Sequence, residues 1–222
     1  MYTFNFAPVL AGMDQLLLGA WLTIQLSVAA MVVGLIVSVA CAAAKTSGIA
    51  PLRWTVDVYV EVIRNTPFLV QIFFIFFGLP SLGLRLTPNG AALVALVVNF
   101  GAYGTEIIRA GIESIQRGQM EAGTALGLSR LQIFRYIVMK PALRTVYPAL
   151  TSQFIYLMLT SSVVSAISAD DLAAAGNNLQ SQTFASFEVY IVITLMYLAM
   201  SIGFSAIFAV IEKAAFQYPL SR

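Results

Sequence analysis

Between Gln15 and Ala44 the chain runs without a single Asp, Glu, Lys or Arg. The hydrocarbon core of a bilayer is roughly 30 Å thick, and a helix crosses it in about 20 residues. This run is longer than that, so it predicts a membrane-spanning helix that tilts or begins in the interface. Composition agrees. The chain is 59% hydrophobic and 10% charged, against about 45–50% and about 25% in soluble domains, and its mean hydropathy is +0.87. The stretch before the run, "MYTFNFAPVLAGMDQ", has no basic region, and the run itself is too long for a signal-peptide core. The first apolar segment is therefore expected to remain in the mature protein.

The same reading along the 222 residues predicts an all-α, single-domain membrane protein with five spans, at about 14–44, 54–78, 90–110, 142–166 and 188–212. A charged segment at about 117–135 lies between the third and fourth. Lys45, Arg53, Arg109, Arg117, Arg130, Arg135, Lys140, Arg144, Lys213 and Arg222 then all fall on one side. The other side has Arg85 with Asp14, Asp170, Asp171 and Glu188. The positive-inside rule orients the chain N-out, C-in. A formal net charge of +2 gives no reason to expect nucleic acid; the expected surroundings are membrane lipid. Cys41 is the one cysteine and there is no histidine, which excludes an intrachain disulfide and Cys/His metal sites. No metal site is expected. The polar loop from Ser168 to Glu188 reads either as an exposed connection or as a docking surface for an outside partner. A short helix from Asp170 to about Ala175 fits there, with its aspartates at the positive end of the dipole.

Two groups of polar residues interrupt the apolar pattern. In the second span, "EVIRNTPFLVQ" sets Glu61, Arg64, Phe68 and Gln71 at helical spacing. Glu61 and Arg64 are three apart and can pair, and either alone at mid-bilayer costs about 2.5–3.5 kcal/mol on insertion scales. Pro67 should kink the helix near Asn65 or Thr66. Broken helices at membrane depth survive where they line a cavity or are packed in protein, and in transporters they often mark the substrate site. In the third span Asn99, Tyr103, Glu106 and Ala110 share a stripe, and Glu106 and Arg109 form a second i,i+3 pair. The candidate pathway set is Glu61, Arg64, Asn65, Thr66, Gln71, Asn99, Tyr103 and Glu106. A guanidinium and a carboxylate on one pathway suit a zwitterion, whose carboxylate the arginine would grip as a fork. The alternative is that both pairs are glue between helices or subunits.

The segment "RGQMEAGTALGLSRLQIFRYI" reads as two short helices with a break near Gly127, where glycine accepts positive φ. Ala122, Ala125 and Leu126 give the first piece a small apolar face. Such a face suits a groove on another protein; an amphipathic helix on the inner leaflet is the other reading. No GxxxxGK[ST] loop is present, so the chain is not expected to hydrolyse ATP. No serine sits in a nucleophile elbow. The cluster "LTSSVVSAIS" reads as helix packing, or as part of a pathway or subunit seam.

"GQMEAGTALGLSRLQIFRYIVM" resembles the EAA motif, E-A-A-x3-G-x9-I-x-L-P, of ABC-importer permease subunits. Glu121, Ala122, Gly127 and Ile137 match; Gly123 stands for the second alanine, Met139 for the leucine and Lys140 for the proline, with Pro141 one place later. "EVIRNTPFLVQIFFIFFGLP" is similar to the E-V-x-R-G-T-P-x-L-V-Q segment of the histidine/polar amino-acid permease family, with Asn65 in place of glycine. "AYGTEIIRAGIESIQRGQMEAG" resembles the same family's third span and loop. "PALRTVYPALTSQFIYLMLTSSVVSAI" is similar in its fourth, with Met158 where lysine is common. The resemblance implies a type I ABC importer permease fold in a bacterial cytoplasmic (inner) membrane. It implies import of a polar amino acid by alternating access. Its partners would be a second permease, identical or homologous, two cytosolic ATPase subunits that bind ATP and magnesium, and an external amino-acid-binding protein. The chain itself would hold no cofactor. Its coupling residues would be Glu121, Ala122, Gly123, Ala125, Leu126, Gly127 and Leu128. The rival reading is a self-sufficient secondary carrier or channel; a membrane-embedded enzyme lacks a catalytic set.

Overall fold

The computed structural model describes residues 4–216; Arg222, counted above among the charges of one side, lies outside them. Every regular element among the described residues is helical. A short α1 (Ala7–Ala11) leads into α2 (Met13–Thr46), then α3 (Ala50–Arg64) and α4 (Phe68–Phe73). The latter continues through a π turn (Phe74–Gly78) and a 3-10 turn (Leu79–Leu82). α5 (Pro88–Glu113) follows, then α6 (Arg117–Ala125) and α7 (Arg130–Ile133). A π turn (Phe134–Val138) joins α7 to α8 (Met139–Thr160), which a 3-10 segment (Ser161–Ile167) extends. α9 (Leu172–Thr183) and α10 (Ser186–Ala215) complete the fold. Four stretches are long and apolar enough to span a membrane: Met13–Thr46, Pro88–Glu113, Leu131–Ile167 and Ser186–Ala215. The pair Ala50–Arg64 and Phe68–Leu82, bent by 109°, is apolar enough only when taken together, and makes a fifth span if its two halves cross as one broken helix.

The tightest seam is between α2 and α5, and small residues make it. On α2 the buried positions include Ser27, Ala30, Gly34, Ser38 and Ala42, and on α5 Ala91, Ala92, Ala95, Gly101, Ala102 and Gly104. Lipid tails are as apolar as leucine, so membrane helices associate through close packing of such residues and cross-helix hydrogen bonds. A Cβ on Gly34 would come within 2.9 Å of the Phe100 ring, and one on Gly104 would strike the Ser38 side chain. Ser38 Oγ donates within its own helix to Gly34 O (2.7 Å) and reaches across to Gly101 O (3.1 Å). α5 begins where Pro88 takes the first helical position, capped by Thr87, whose Oγ1 accepts from Gly90 N at 3.1 Å.

At the end of the bundle opposite the basic cluster, α9 is clamped on three sides. Asp171 caps it, accepting from Ala174 N (2.8 Å), and Tyr197 of α10 donates its O–H to the other carboxylate oxygen (3.3 Å). Thr23 of α2 accepts from Leu172 N (3.0 Å). Asn89 at the start of α5 exchanges two bonds with Asp170. The helix foreseen over Asp170 to about Ala175 thus starts at Leu172 and runs on to Thr183. Much of the loop that contains it is packed structure: Ala169, Asp171, Leu172 and Leu179 are all buried.

Candidate functional site

The sequence suggests one kinked helix over the second span; the structure has two helices at 109°. The cause is local. Pro67 has no N–H and disfavours helical geometry in the residue before it, so α3 ends at Arg64 with Asn65 as its cap and Pro67 extended (φ −65°, ψ 137°). Such an end leaves backbone carbonyls without helical partners. Gln71, one turn into α4, reaches back over the break to satisfy them. Its Nε2 donates to Ile63 O (2.7 Å), Thr66 O (3.0 Å) and Thr66 Oγ1 (2.9 Å). Its Oε1 accepts from Asn99 Nδ2 of α5 at 3.2 Å, in a buried contact. Tyr59 O–H donates to Val98 O (2.6 Å) and pins the body of α3 to the same stretch of α5.

The expected Glu61–Arg64 ion pair does not form. Glu61 Oε2 accepts from Asn65 Nδ2 (2.7 Å), which also donates to Glu61 O (2.9 Å). Arg64 instead lays its guanidinium over the ring of Tyr103, 5.3 Å from the centroid. Capping geometry wins because Asn65 sits at the helix end, where its amide reaches the backbone oxygen and one carboxylate oxygen of Glu61, while a flat, weakly hydrated guanidinium packs well on an aromatic face. Among the described residues Arg64 has no carboxylate within ion-pair distance. Glu61, Arg64, Asn65 and Thr66 are all exposed on this chain. The break therefore presents a cation, a carboxylate, an amide and a hydroxyl together on an open surface, with Gln71, Asn99 and Tyr103 as its support.

Glu106 belongs to a different group. It lies seven residues, about 10 Å, along α5 from Asn99. Lys45 Nζ of α2 bonds it at 2.6 Å and Arg109 at 2.8 Å. Lys45 also bonds Asp57 of α3 (2.7 Å), Arg53 lies near the same carboxylate (3.6 Å), and Arg109 reaches Glu113. This network ties together the basic ends of α2, α3 and α5. The i,i+3 pair of Glu106 and Arg109 is formed; Lys45, 61 residues away from Glu106, is a partner that spacing on one helix cannot reveal.

The charged segment is two helices joined by a fully bonded turn. α6 ends in a Schellman motif: Gly127 is left-handed (φ 75°), its N–H donates to Thr124 O (3.0 Å), and Leu128 N donates to Gly123 O (3.1 Å). Ser129 and Gln132 then form a capping box for α7. Ser129 N donates to Gln132 Oε1 (2.8 Å) and Gln132 N to Ser129 Oγ (3.4 Å). The S-x-x-Q spacing of Ser129 and Gln132 is the sequence signal of this box. The seven candidate coupling residues divide by side. Gly123 is buried, and a Cβ there would come within 2.5 Å of Ile137 and 3.1 Å of Ile133. Leu128 packs on the cluster of Ile115, Ile133, Val138 and Ala142. Glu121, Ala122, Ala125, Leu126 and Gly127 face outward, Leu126 being 80% exposed. Gly123 and Leu128 thus hold α6 to the start of the α7–α8 rod, and the others present a surface.

Residues 31–217 match the family described as the binding-protein-dependent transport system inner membrane component. Among curated proteins, the chain is 37% identical over 195 residues to one from Bacillus subtilis (strain 168) named "Probable glutamine ABC transporter permease protein", with 88% of this chain and 90% of that one covered. It is 34% identical to the glutamine transport system permease protein of Escherichia coli (strain K12), with 95% and 97% covered. A crystal structure of an amino acid ABC transporter with histidines superimposes with a TM-score of 0.90 at 34% identity, covering 96% of this chain and 100% of that one. An inward-facing methionine ABC transporter, at 22% identity and a TM-score of 0.75, shares the fold.

Proposed function

The chain belongs to the family of binding-protein-dependent transport system inner membrane components, and from that premise we propose how its parts perform import of a polar amino acid. It is a multi-pass inner-membrane permease subunit of an amino-acid ABC importer, not itself an enzyme. The family implies a second permease, ATPase subunits and a substrate-binding protein. In the proposed assembly two cytosolic ATPases bind ATP and magnesium, the binding protein delivers the amino acid from outside, and this chain needs no cofactor of its own. The basic end faces the cytosol, as the positive-inside rule requires.

The coupling route runs through α6. Its outward residues Glu121, Ala122, Ala125 and Leu126 seat in the ATPase. Gly123 and Leu128 transmit its displacement to the α7–α8 rod through Ile133 and Ile137. A nucleotide can shift this subunit only through contacts that differ between two states, and α6 supplies them. The substrate path passes the break at Asn65–Pro67. One observation carries this assignment: Arg64 is held on Tyr103 with its charge unpaired by any carboxylate among the described residues. A planar guanidinium so placed takes a substrate carboxylate in bidentate geometry. Glu61 keeps Oε1 without a hydrogen bond among the described residues, which leaves it available to a substrate ammonium.

The test is uptake by the assembled complex in vesicles. Arg64→Ala and Glu61→Gln should lower ATP-dependent uptake by at least about tenfold, one charge-assisted hydrogen bond's worth, while assembly and nucleotide turnover persist. Uptake at the wild-type rate by both variants would remove the break from the pathway. Uphill transport by this chain without any ATPase partner would favour the self-sufficient carrier.

A further inference from the structure

Away from the break and from α6, the side of the bundle has a deep apolar groove at its basic end, with a volume of about 610 Å³. α2 gives one wall (Met31 to Thr46), α8 the other (Met139 to Thr151), and Ile112 of α5 and Ile211 of α10 close it off. From Met31 to Thr46 the α2 wall rises about 22 Å. That is the depth of one leaflet's acyl chains with its headgroup, since the whole hydrocarbon core is about 30 Å. Three lining residues carry hydroxyls, and each hydroxyl is already used within the chain. Thr46 donates to Ala42 O (3.0 Å), Tyr147 to Phe208 O (2.8 Å) and Thr151 to Pro148 O (3.0 Å). The groove therefore offers hydrocarbon and no open side-chain hydroxyl. An extended peptide entering it would leave its backbone groups unbonded.

The mouth has a second feature, produced by the π turn at Phe134–Val138. Such a turn takes one residue more than an α turn, so residues five apart line up across it. Phe134 and Met139 both line the groove, and Leu143 continues the stripe one α turn later. The next residue along gives a parallel stripe of Arg135, Lys140 and Arg144. Arg135 lies over the Tyr136 ring (5.9 Å), and Lys140 and Arg144 also interact within the chain. α10, which helps close the groove, carries Glu212 and Lys213 in its last turn. A slot of hydrocarbon one leaflet deep, with a row of cations on the adjoining face of the same rod, is complementary to a chain-bearing molecule with an anionic head. We propose that the groove binds an anionic phospholipid of the leaflet at the basic end, with one acyl chain along α2 and α8 and the phosphate at Arg135, Lys140 and Arg144. Basic pockets between membrane helices on the cytoplasmic side hold anionic headgroups in this way.

The experiment uses the assembled complex in phosphatidylcholine nanodiscs doped with phosphatidylglycerol or with phosphatidylcholine carrying the same photoreactive acyl chain. The phosphatidylglycerol probe should label residues 134–151 about fivefold more than its neutral analogue, the factor expected of one cation near the surface. Lys140→Gln with Arg144→Gln should bring the two probes to parity. Ala43→Trp, which fills the groove from its exposed α2 wall, should abolish labelling by both; if that variant does not assemble, Leu143→Trp from the opposite wall carries the same arm. Equal labelling of the wild type by both probes would mean ordinary boundary lipid and would overturn the proposal. So would labelling that survives the filled groove, or a Leu143→Cys variant that cross-links to the second permease and shows the groove covered by protein.

Discussion

The latch across the break can be taken apart bond by bond. Gln71→Leu keeps the side-chain volume but removes four polar contacts: three donated to Ile63 O, Thr66 O and Thr66 Oγ1, and one accepted from Asn99. A buried polar group left without a partner costs about 1–3 kcal/mol. Hydrogen bonds measured between membrane helices are weaker, about 0.6–2 kcal/mol, because the unfolded chain in lipid also finds partners. Thr66 is exposed and can be rescued by water; Ile63 O and the Asn99 amide are the groups left stranded. The expected loss for Gln71→Leu is therefore about 2–4 kcal/mol. Asn99→Leu removes only the 3.2 Å bond and should cost about 1 kcal/mol. The double variant should lose no more than Gln71→Leu alone, because no amide remains to be stranded. The cycle thus carries a coupling energy of about 1 kcal/mol. Reversible unfolding in mixed detergent micelles, titrated with a denaturing detergent, reads all four corners, and uptake in vesicles should fall in the same rank order. Strict additivity of the two substitutions would mean that Gln71 and Asn99 do not act as one unit, and the account of how the break is held would fail.

Two other perturbations probe the remaining elements. A Cβ on Gly127 meets nothing within 4 Å, so Gly127→Ala should cost only the left-handed backbone penalty of about 1–2 kcal/mol. Gly127→Pro also deletes the N–H bonded to Thr124 O and should uncouple uptake from ATP turnover or abolish assembly; normal uptake by the proline variant would refute the role of α6. At the opposite end of the bundle, burial pushes the Asp171 carboxyl up from 3.8 to about 6, with the Ala174 and Ala173 N–H groups and Tyr197 pulling the other way. The folded state then holds the extra proton between roughly pH 4 and 6, so this group's contribution falls as pH rises through that window, by about 3 kcal/mol in all, and is flat above it. Asp171→Asn keeps the helix cap, and the wild-type-minus-variant stability, measured by thermal unfolding at about pH 4.5, inside that window, and about pH 7.5, above it, should be larger at the lower pH; no difference would show the carboxyl to be solvated.

Features that depend on a few neighbouring residues were legible before any coordinates. The uncharged run from Gln15 announces a helix longer than the bilayer, Pro67 announces a break, and Gly127 announces a left-handed turn, because hydropathy, a missing N–H and a missing Cβ act within a turn or two of the chain. The motif around Glu121 and the segment around Arg64 likewise carried the family. What only the folded molecule decided is which polar groups meet. Glu61 and Arg64 sit at pairing distance along a helix, yet Asn65 and Tyr103 outcompete them, and Tyr103 comes from another helix. Glu106 shares a stripe with Asn99, but its charge is claimed by Lys45 of α2. Gly123 and Leu128 read as part of one motif with Ala122, though packing turns them inward. In a membrane the apolar pattern says little about facing, since lipid and protein interior are equally greasy. The partners of each polar side chain are set by close approach of helices distant in sequence, and that approach depends on the whole bundle at once.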